Sequence, residues 1–196
     1  MFLMRQPSDA QVRHILESQG RDGFSYPEVG ATAHTLPAGY QVHHERFELG
    51  RGAPAFERAK RAVREWRMFD MGWLRLFWPD QPIVAGTTVG VLARHFGFWS
   101  LNLCRIVYAI DEQRAFGFAY GTLTEHAESG EERFLVKWRE DDSVWYDLLA
   151  MSRERHLLAR LGYPLSRALQ AKFRRDSGAA MQGAAPPREA RNYELS

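Results

Sequence analysis

Sulfur is scarce in this chain: its 196 residues include a single cysteine, Cys104. That excludes an intramolecular disulfide framework and any multi-thiolate metal site. Long apolar runs are missing too, so no membrane span is expected. The start, Met1-Phe2-Leu3-Met4-Arg5, is too short an apolar stretch for a secretory signal. One thiol and no export signal make the cytoplasm the expected compartment. There is no internal repeat, nucleophile elbow, P-loop or dinucleotide fingerprint. Gly50-Arg51-Gly52 is too short to read as a phosphate loop. No cofactor and no metal are expected, and no motif names a reaction.

A large net charge is also absent, with 26 basic against 24 acidic residues giving +2. The charge is unevenly placed, however. Residues 1–150 hold 17 basic and 20 acidic side chains, and residues 151–196 hold 9 and 4. Within 153–175 the count is 7 against 1, so the basic character belongs to one C-terminal segment. What the chain does have is apolar and aromatic substance, 45% and 13% of residues. That is enough for a sizeable core or an aromatic-lined pocket, and it excludes wholly disordered and collagen-like chains.

Periodicity sets out the elements. Ser8 and Gln11 form a capping box ahead of the stripe Val12, Ile15, Leu16, with Gly20 and Gly23 ending the helix. Turn residues fill 26–39, and 40–49 alternates as a strand. Phe56, Ala59, Val63 and Trp66 share one face of a helix over 54–69, with Pro54 in its first turn. From 73 to 151 the chain reads as a run of strands: 74–78, 83–95, 101–110, 115–123, 132–139 and 144–150. A final helix is expected over 153–175, with Leu158, Leu161, Leu165, Leu169 and Phe173 at helical spacing. Gly162 and Pro164 should kink or split it. The expected organisation is an N-terminal helical lead-in (1–23), a helix-grip domain (24–176) and a disordered tail (177–196). The fold class is α+β: a curved antiparallel sheet of about seven strands around a long C-terminal helix, often with a cavity between them.

Several segments carry a resemblance. Gly117-Phe118-Ala119-Tyr120-Gly121-Thr122-Leu123 is followed by His126 and by Gly130-Glu131-Glu132-Arg133-Phe134. With them stand Tyr26-Pro27-Glu28-Val29-Gly30-Ala31-Thr32, Leu36-Pro37-Ala38-Gly39-Tyr40, Leu49-Gly50-Arg51-Gly52 and Cys104-Arg105-Ile106-Val107-Tyr108. Together they resemble the domain-of-unknown-function nineteen-ninety family, found in bacteria and plants, over most of 24–175. The resemblance implies the START-like, birch-pollen-allergen-like helix-grip superfamily and implies no reaction. The chain departs from the family pattern at Glu154, where proline is usual, and at Asp176, where tyrosine is usual after two arginines.

Each candidate site has a bland reading beside the sharp one. Phe116, Phe118, Tyr120 and Thr122 share one strand face opposite alanine and glycine. They are either packed core or the wall of an apolar cavity whose ligand the Tyr120 hydroxyl orients. Arg105 either binds a carboxylate or phosphate inside the cavity or is solvated outside it. His126, Glu128, Glu131 and Glu132 are a solvated hairpin end, a general base or part of a metal site. In His43-His44-Glu45 the first and third can share a site and the second cannot, which is too few ligands for a metal. Cys104 reads as a core thiol. The basic stretch 153–175 is the polar face of a helix or a surface for anionic lipid or nucleic acid; nucleic acid is not expected, because the apolar stripe there must be buried.

The expected function is binding of a small apolar or amphipathic molecule between sheet and terminal helix. Its expected contacts are Arg105, Tyr108, Phe116, Phe118, Tyr120, Phe134, Trp138 and Leu165. The alternatives are an enzyme working by acid–base chemistry through Tyr26, His126 and Glu131, and an interaction scaffold with a basic C-terminal helix.

Overall fold

The computed structural model describes residues 1–19, 21–77, 81–95, 97–124, 128–154 and 163–184; side chains at 154 and 163–166 lie outside the description. Among the described residues the elements run β1 (Phe2–Leu3), α1 (Asp9–Gln19), β2 (Gln41–Arg51), α2 (Gly52–Arg64), β3 (Leu74–Phe77), β4 (Thr88–Arg94), β5 (Trp99–Glu112), β6 (Ala115–Thr122), β7 (Glu128–Trp138), β8 (Ser143–Glu154) and α3 (Tyr163–Ala184). Strands β3 to β8 form an antiparallel meander, and β2 closes it by pairing with β8, giving the order β2-β8-β7-β6-β5-β4-β3. These are the seven expected strands. The two-residue β1 adds an eighth by pairing with β5, and the N-terminal ammonium donates to the Leu101 carbonyl at 3.0 Å.

Both sheet faces are covered, each by a different helix layer. On the outer face α1 packs Val12 and Leu16 onto Leu92, Leu101 and Leu103. Its start is the expected capping box: the Gln11 amide donates to Ser8 Oγ at 3.3 Å, and the Ser8 amide to Gln11 Oε1 at 2.9 Å. On the inner face, α2 buries Ala55, Phe56, Ala59, Ala62 and Val63 against the meander. This helix stops at Arg64 rather than continuing to 69. Trp66 takes a left-handed conformation (φ 55°), and a separate 3-10 turn, Arg67–Phe69, drops Met68 and Phe69 into the core.

Two boundaries near the C-terminus differ from expectation. Residues 153 and 154 belong to β8, because β7 still offers partners there (Ser129 opposite Arg153, Glu128 opposite Glu154). Residues 155–162, with Leu158, Leu161 and Gly162, lie outside the described residues. The last helix begins at Tyr163, so Pro164 sits in its first turn, where the missing N–H costs nothing, and no kink is required. It also runs on to Ala184, so 177–184 is helix rather than tail. Buried Ser177 and Met181 continue its inward face, and Ser177 Oγ lies 2.8 Å from the Tyr146 hydroxyl. A long terminal helix held by a curved antiparallel sheet is the helix-grip arrangement.

Candidate functional site

Cross-strand partners share a face of the sheet, so the register sorts the polar residues into two groups. On the outer face, Arg105 stands opposite Gly121, and Gly121 opposite Glu131. Glu131 is buried and collects four donors: the Tyr26 hydroxyl at 2.7 Å, the Gly30 amide at 2.7 Å, the Thr32 amide at 2.9 Å, and the Thr32 hydroxyl. This carboxylate clips the loop 26–32 onto the sheet. Gly121 makes the clip possible, since a Cβ there would lie 2.1 Å from the Tyr26 hydroxyl oxygen. Burial, and then the bond to Glu131, push the Tyr26 hydroxyl far above the ordinary phenol range. Beside the clip, Arg133 donates to the Thr32 carbonyl at 2.8 Å and to Asp147 at 2.9 Å. Asp147 also lies 2.8 Å from His44 Nε2 and 3.0 Å from Arg46 Nε. Burial opposes its charge, but the hydrogen bonds from His44 and Arg133 prevail and hold its carboxyl below the usual range.

The inner face has one filled end and one open end. Toward α2, Trp66 packs on Phe118 (4.8 Å between ring centroids), and Phe69 on Phe134 and Phe173 (5.4 and 5.7 Å). Toward the other end the inward residues become small, with Ala93, Ser100, Gly130, Ala150 and Ser152, and α3 no longer fills the space. A cleft of about 260 Å³ remains between the sheet and Leu169, Gln170, Phe173 and Arg174 of the helix. At about 30 Å³ per water it has room for roughly nine waters, or one small bicyclic molecule.

The walls of the cleft are mostly apolar, from Trp73, Leu74, Val91 and Phe173, with Cys104 beneath. Burial pushes the Cys104 thiol up, which makes it an inert core group. A polar set lies within these walls. The Tyr120 hydroxyl donates to Glu132 Oε2 at 3.0 Å. Burial raises the Glu132 carboxyl to about 7, against the lowering effects of the Tyr120 bond and Arg174. Arg174, almost fully buried, donates from Nε to Glu45 at 2.7 Å. His43 Nε2 is buried with no hydrogen-bond partner among the described residues. Burial first, then Arg174 and Arg167, lower the His43 pKa, so its ring is neutral at pH 7.

The expected site residues therefore divide. Tyr120 lines the cleft, whereas Phe116, Phe118 and Phe134 belong to the filled core. Trp138 packs on Phe56 away from the cleft and donates to Asp142 at 2.8 Å. Arg105 and Tyr108 are on the outer face, contrary to the cavity role expected of them. Arg105 donates to Thr88 Oγ1 at 3.3 Å and stacks over Phe24, and the Tyr108 hydroxyl lies 2.7 Å from Thr32 Oγ1. A register shift between Ile106 and Tyr108 turns Tyr108 outward. Of the acid–base trio, Tyr26 and Glu131 do meet, but as a structural clip: Glu131 is among the residues lining the cleft, yet its carboxylate is taken up by Tyr26, Gly30 and Thr32. His126 and the side chain of Leu165 lie outside the described residues. His43 and Glu45 share the inner face, and His44 faces out, as alternation requires. Glu132 was legible only as part of a hairpin cluster, although its parity with Phe134 and Val136 marks it as inward.

Against this geometry stand the comparisons with known proteins. The family described as Domain of unknown function (DUF1990) matches residues 25–180. The chain belongs to the DUF1990 family. A UPF0548 protein of Deinococcus radiodurans is 36% identical over 181 residues, 87% of this chain and 91% of the relative. Another, from Dictyostelium discoideum, is 33% identical over 199 residues, covering 90% and 92%. Solved structures share the fold at low identity. The hypothetical protein jhp0584 from Helicobacter pylori has a TM-score of 0.52 at 10% identity, covering 84% of this chain and 97% of that one. The di-domain ARO/CYC StfQ from the steffimycin biosynthetic pathway also has 0.52 at 10%, covering 74% and 51%. These likenesses concern the fold alone: a curved antiparallel sheet gripping a terminal helix. The family segments 26–32 and 130–134 are brought together mainly by the outer clip. Among the described residues no helix is long and apolar enough to cross a membrane, and no group of three metal-ligating side chains is present.

Proposed function

We propose that this DUF1990 domain binds a small, largely apolar molecule in the cleft between the sheet and α3. The observation that carries the reading is the contrast between the two ends of the grip. One end is packed solid by Trp66, Phe69 and Phe173. The other stays open around a polar set that includes His43 Nε2, which has no partner among the described residues. An apolar recess with a few convergent polar groups is the usual form of a small-molecule site. The catalytic alternative loses two of its three groups, because Tyr26 and Glu131 bond each other on the opposite face. The scaffold alternative required a filled interior and a basic helix surface, yet Arg174 is turned inward onto Glu45.

Native mass spectrometry of the freshly purified full chain, beside its denatured mass, tests the proposal. Extra mass that leaves on denaturation is expected. A ligand-free mass, together with no detectable binding of naphthalene or 2-naphthol by fluorescence titration, overturns it.

A further inference from the structure

One cross-strand row on the inner face says what the polar end of the cleft selects. Across β5, β6, β7, β8 and β2 the register places Ile106, Tyr120, Glu132, Ala150 and His43 side by side. Every member but Ala150 carries a long side chain. Glu132 and His43 stand two strand spacings apart, about 10 Å at the backbone, and between them the row falls to a single methyl group. Glu132, Ala150 and His43 all line the cleft, so the gap opens into it.

The chemistry on either side of this gap is specific. On one side is the Glu132 carboxyl, with Tyr120 donating to Oε2. On the other is His43 Nε2, buried with no protein partner among the described residues. Arg174 reaches the same region from α3, but its Nε is held by Glu45. Three carboxylates, Glu45, Glu128 and Glu132, surround the position and outnumber the two guanidiniums near it, Arg174 and Arg167. An anionic ligand group is therefore disfavoured, and a purely apolar one would leave the imidazole nitrogen unpaired. A hydroxyl meets both conditions, since it donates and accepts at once and serves either tautomer of His43.

We propose that the gap over Ala150 seats a single hydroxyl group, so that the ligand is a neutral alcohol or phenol on a compact apolar body, hydrogen-bonded to Glu132 and to His43 Nε2. This rests on the binding reading above. The body lies along Trp73, Leu74, Val91 and Phe173, and the hydroxyl fixes which end of it enters first.

Fluorescence titration of the full chain with naphthalene, 2-naphthol and 2-naphthoate separates the two levels. The expected result is 2-naphthol at least tenfold tighter than naphthalene, with 2-naphthoate the weakest. Equal affinity for naphthalene and 2-naphthol, or preference for the carboxylate, overturns the hydroxyl seat while leaving an apolar binding site in place. Failure of both naphthalene and 2-naphthol removes the seat, and with a ligand-free native mass it removes the binding reading as well. In Glu132→Leu and in His43→Phe, affinity for 2-naphthol should fall to that for naphthalene, with naphthalene itself retained as the sign of an intact fold. A tenfold preference that survives in both variants also overturns the proposal.

Discussion

Two neighbouring carboxylates, Glu131 and Glu132, carry opposite consequences because a strand sends successive side chains to opposite faces. Glu131 faces out and accepts from Tyr26, Gly30 and Thr32. In Glu131→Gln an amide N–H₂ would confront those donors, leaving at least one buried and unpaired, at about 1–3 kcal/mol. Glu132 faces in, where burial raises its carboxyl from 4.5 to about 7 against the pull of Tyr120 and Arg174, with Glu128 and Glu45 adding to the rise. The folded state then binds the proton more tightly than the unfolded state does. The contribution of this one group to stability is full below pH 4.5, falls as pH rises to about 7, and stays lowered above it. At about 1.4 kcal/mol per pKa unit the loss is at most about 3–4 kcal/mol. Urea unfolding at pH 8 should therefore show Glu131→Gln less stable and Glu132→Gln more stable than the natural chain. At pH 4 the gain from Glu132→Gln should vanish. Shifts of the same sign at pH 8 would contradict the assignment of the two residues to opposite faces.

Helix α3 shows how an element obeys its surroundings rather than its own propensities. It contains Gly178 and Gly183, both poor choices for a helix interior by about 1 kcal/mol relative to alanine. At Gly178 a Cβ would come within 2.3 Å of the Phe47 ring, which itself packs on Tyr146. At Gly183 nothing lies within 4 Å. Thermal unfolding should therefore separate the two substitutions. Gly183→Ala is expected to stabilise by up to about 1 kcal/mol, and Gly178→Ala to destabilise by about 1–3 kcal/mol as the aromatic pair is displaced. Stabilisation by both would mean that α3 is not seated against β2. This also explains the early end assigned to the helix from sequence. Apolar periodicity is lost from Ser177 onward, and it is the close approach of Phe47 and the hydroxyl of Tyr146, distant in sequence, that seats Ser177 and Gly178 in the helix. The lower end of the segment misleads in the opposite sense. Residues 153 and 154 belong to a strand because the partner strand β7 extends that far, which no property of the segment itself reveals.

At the scale of the whole molecule, alternation and element order were enough to read the strand run, its antiparallel sense and the gripped helix. The two faces of the sheet were harder to assign. The register shift at Ile106–Tyr108 turns Tyr108 outward, and the clip through Glu131 joins residues about a hundred positions apart, so two expected cavity groups and two expected catalytic groups moved to the outside together. The result is a sheet with an apolar layer on each side, α1 against the outer face of β4 and β5, and α2 with α3 against the inner face from β4 through β8. Whether these layers unfold as one is decided by the sheet they share, and a pair of truncations measures it. Leu16 of α1 contacts the outer face at Gly90 of β4, and Leu148 is fully buried on the inner face of β8. Four strand spacings, roughly 19 Å, separate the two sites, so their local costs should be independent. Leu16→Ala and Leu148→Ala should each lower the midpoint of a single urea transition, by about 2–5 kcal/mol of stability apiece. In the double variant the losses should add to within about 0.5 kcal/mol. Energetic additivity with one shared transition is what a rigid sheet carrying two separate cores requires. If Leu16→Ala instead left the main transition unmoved and added an early phase, α1 would be a detachable layer and the inner core would fold without it.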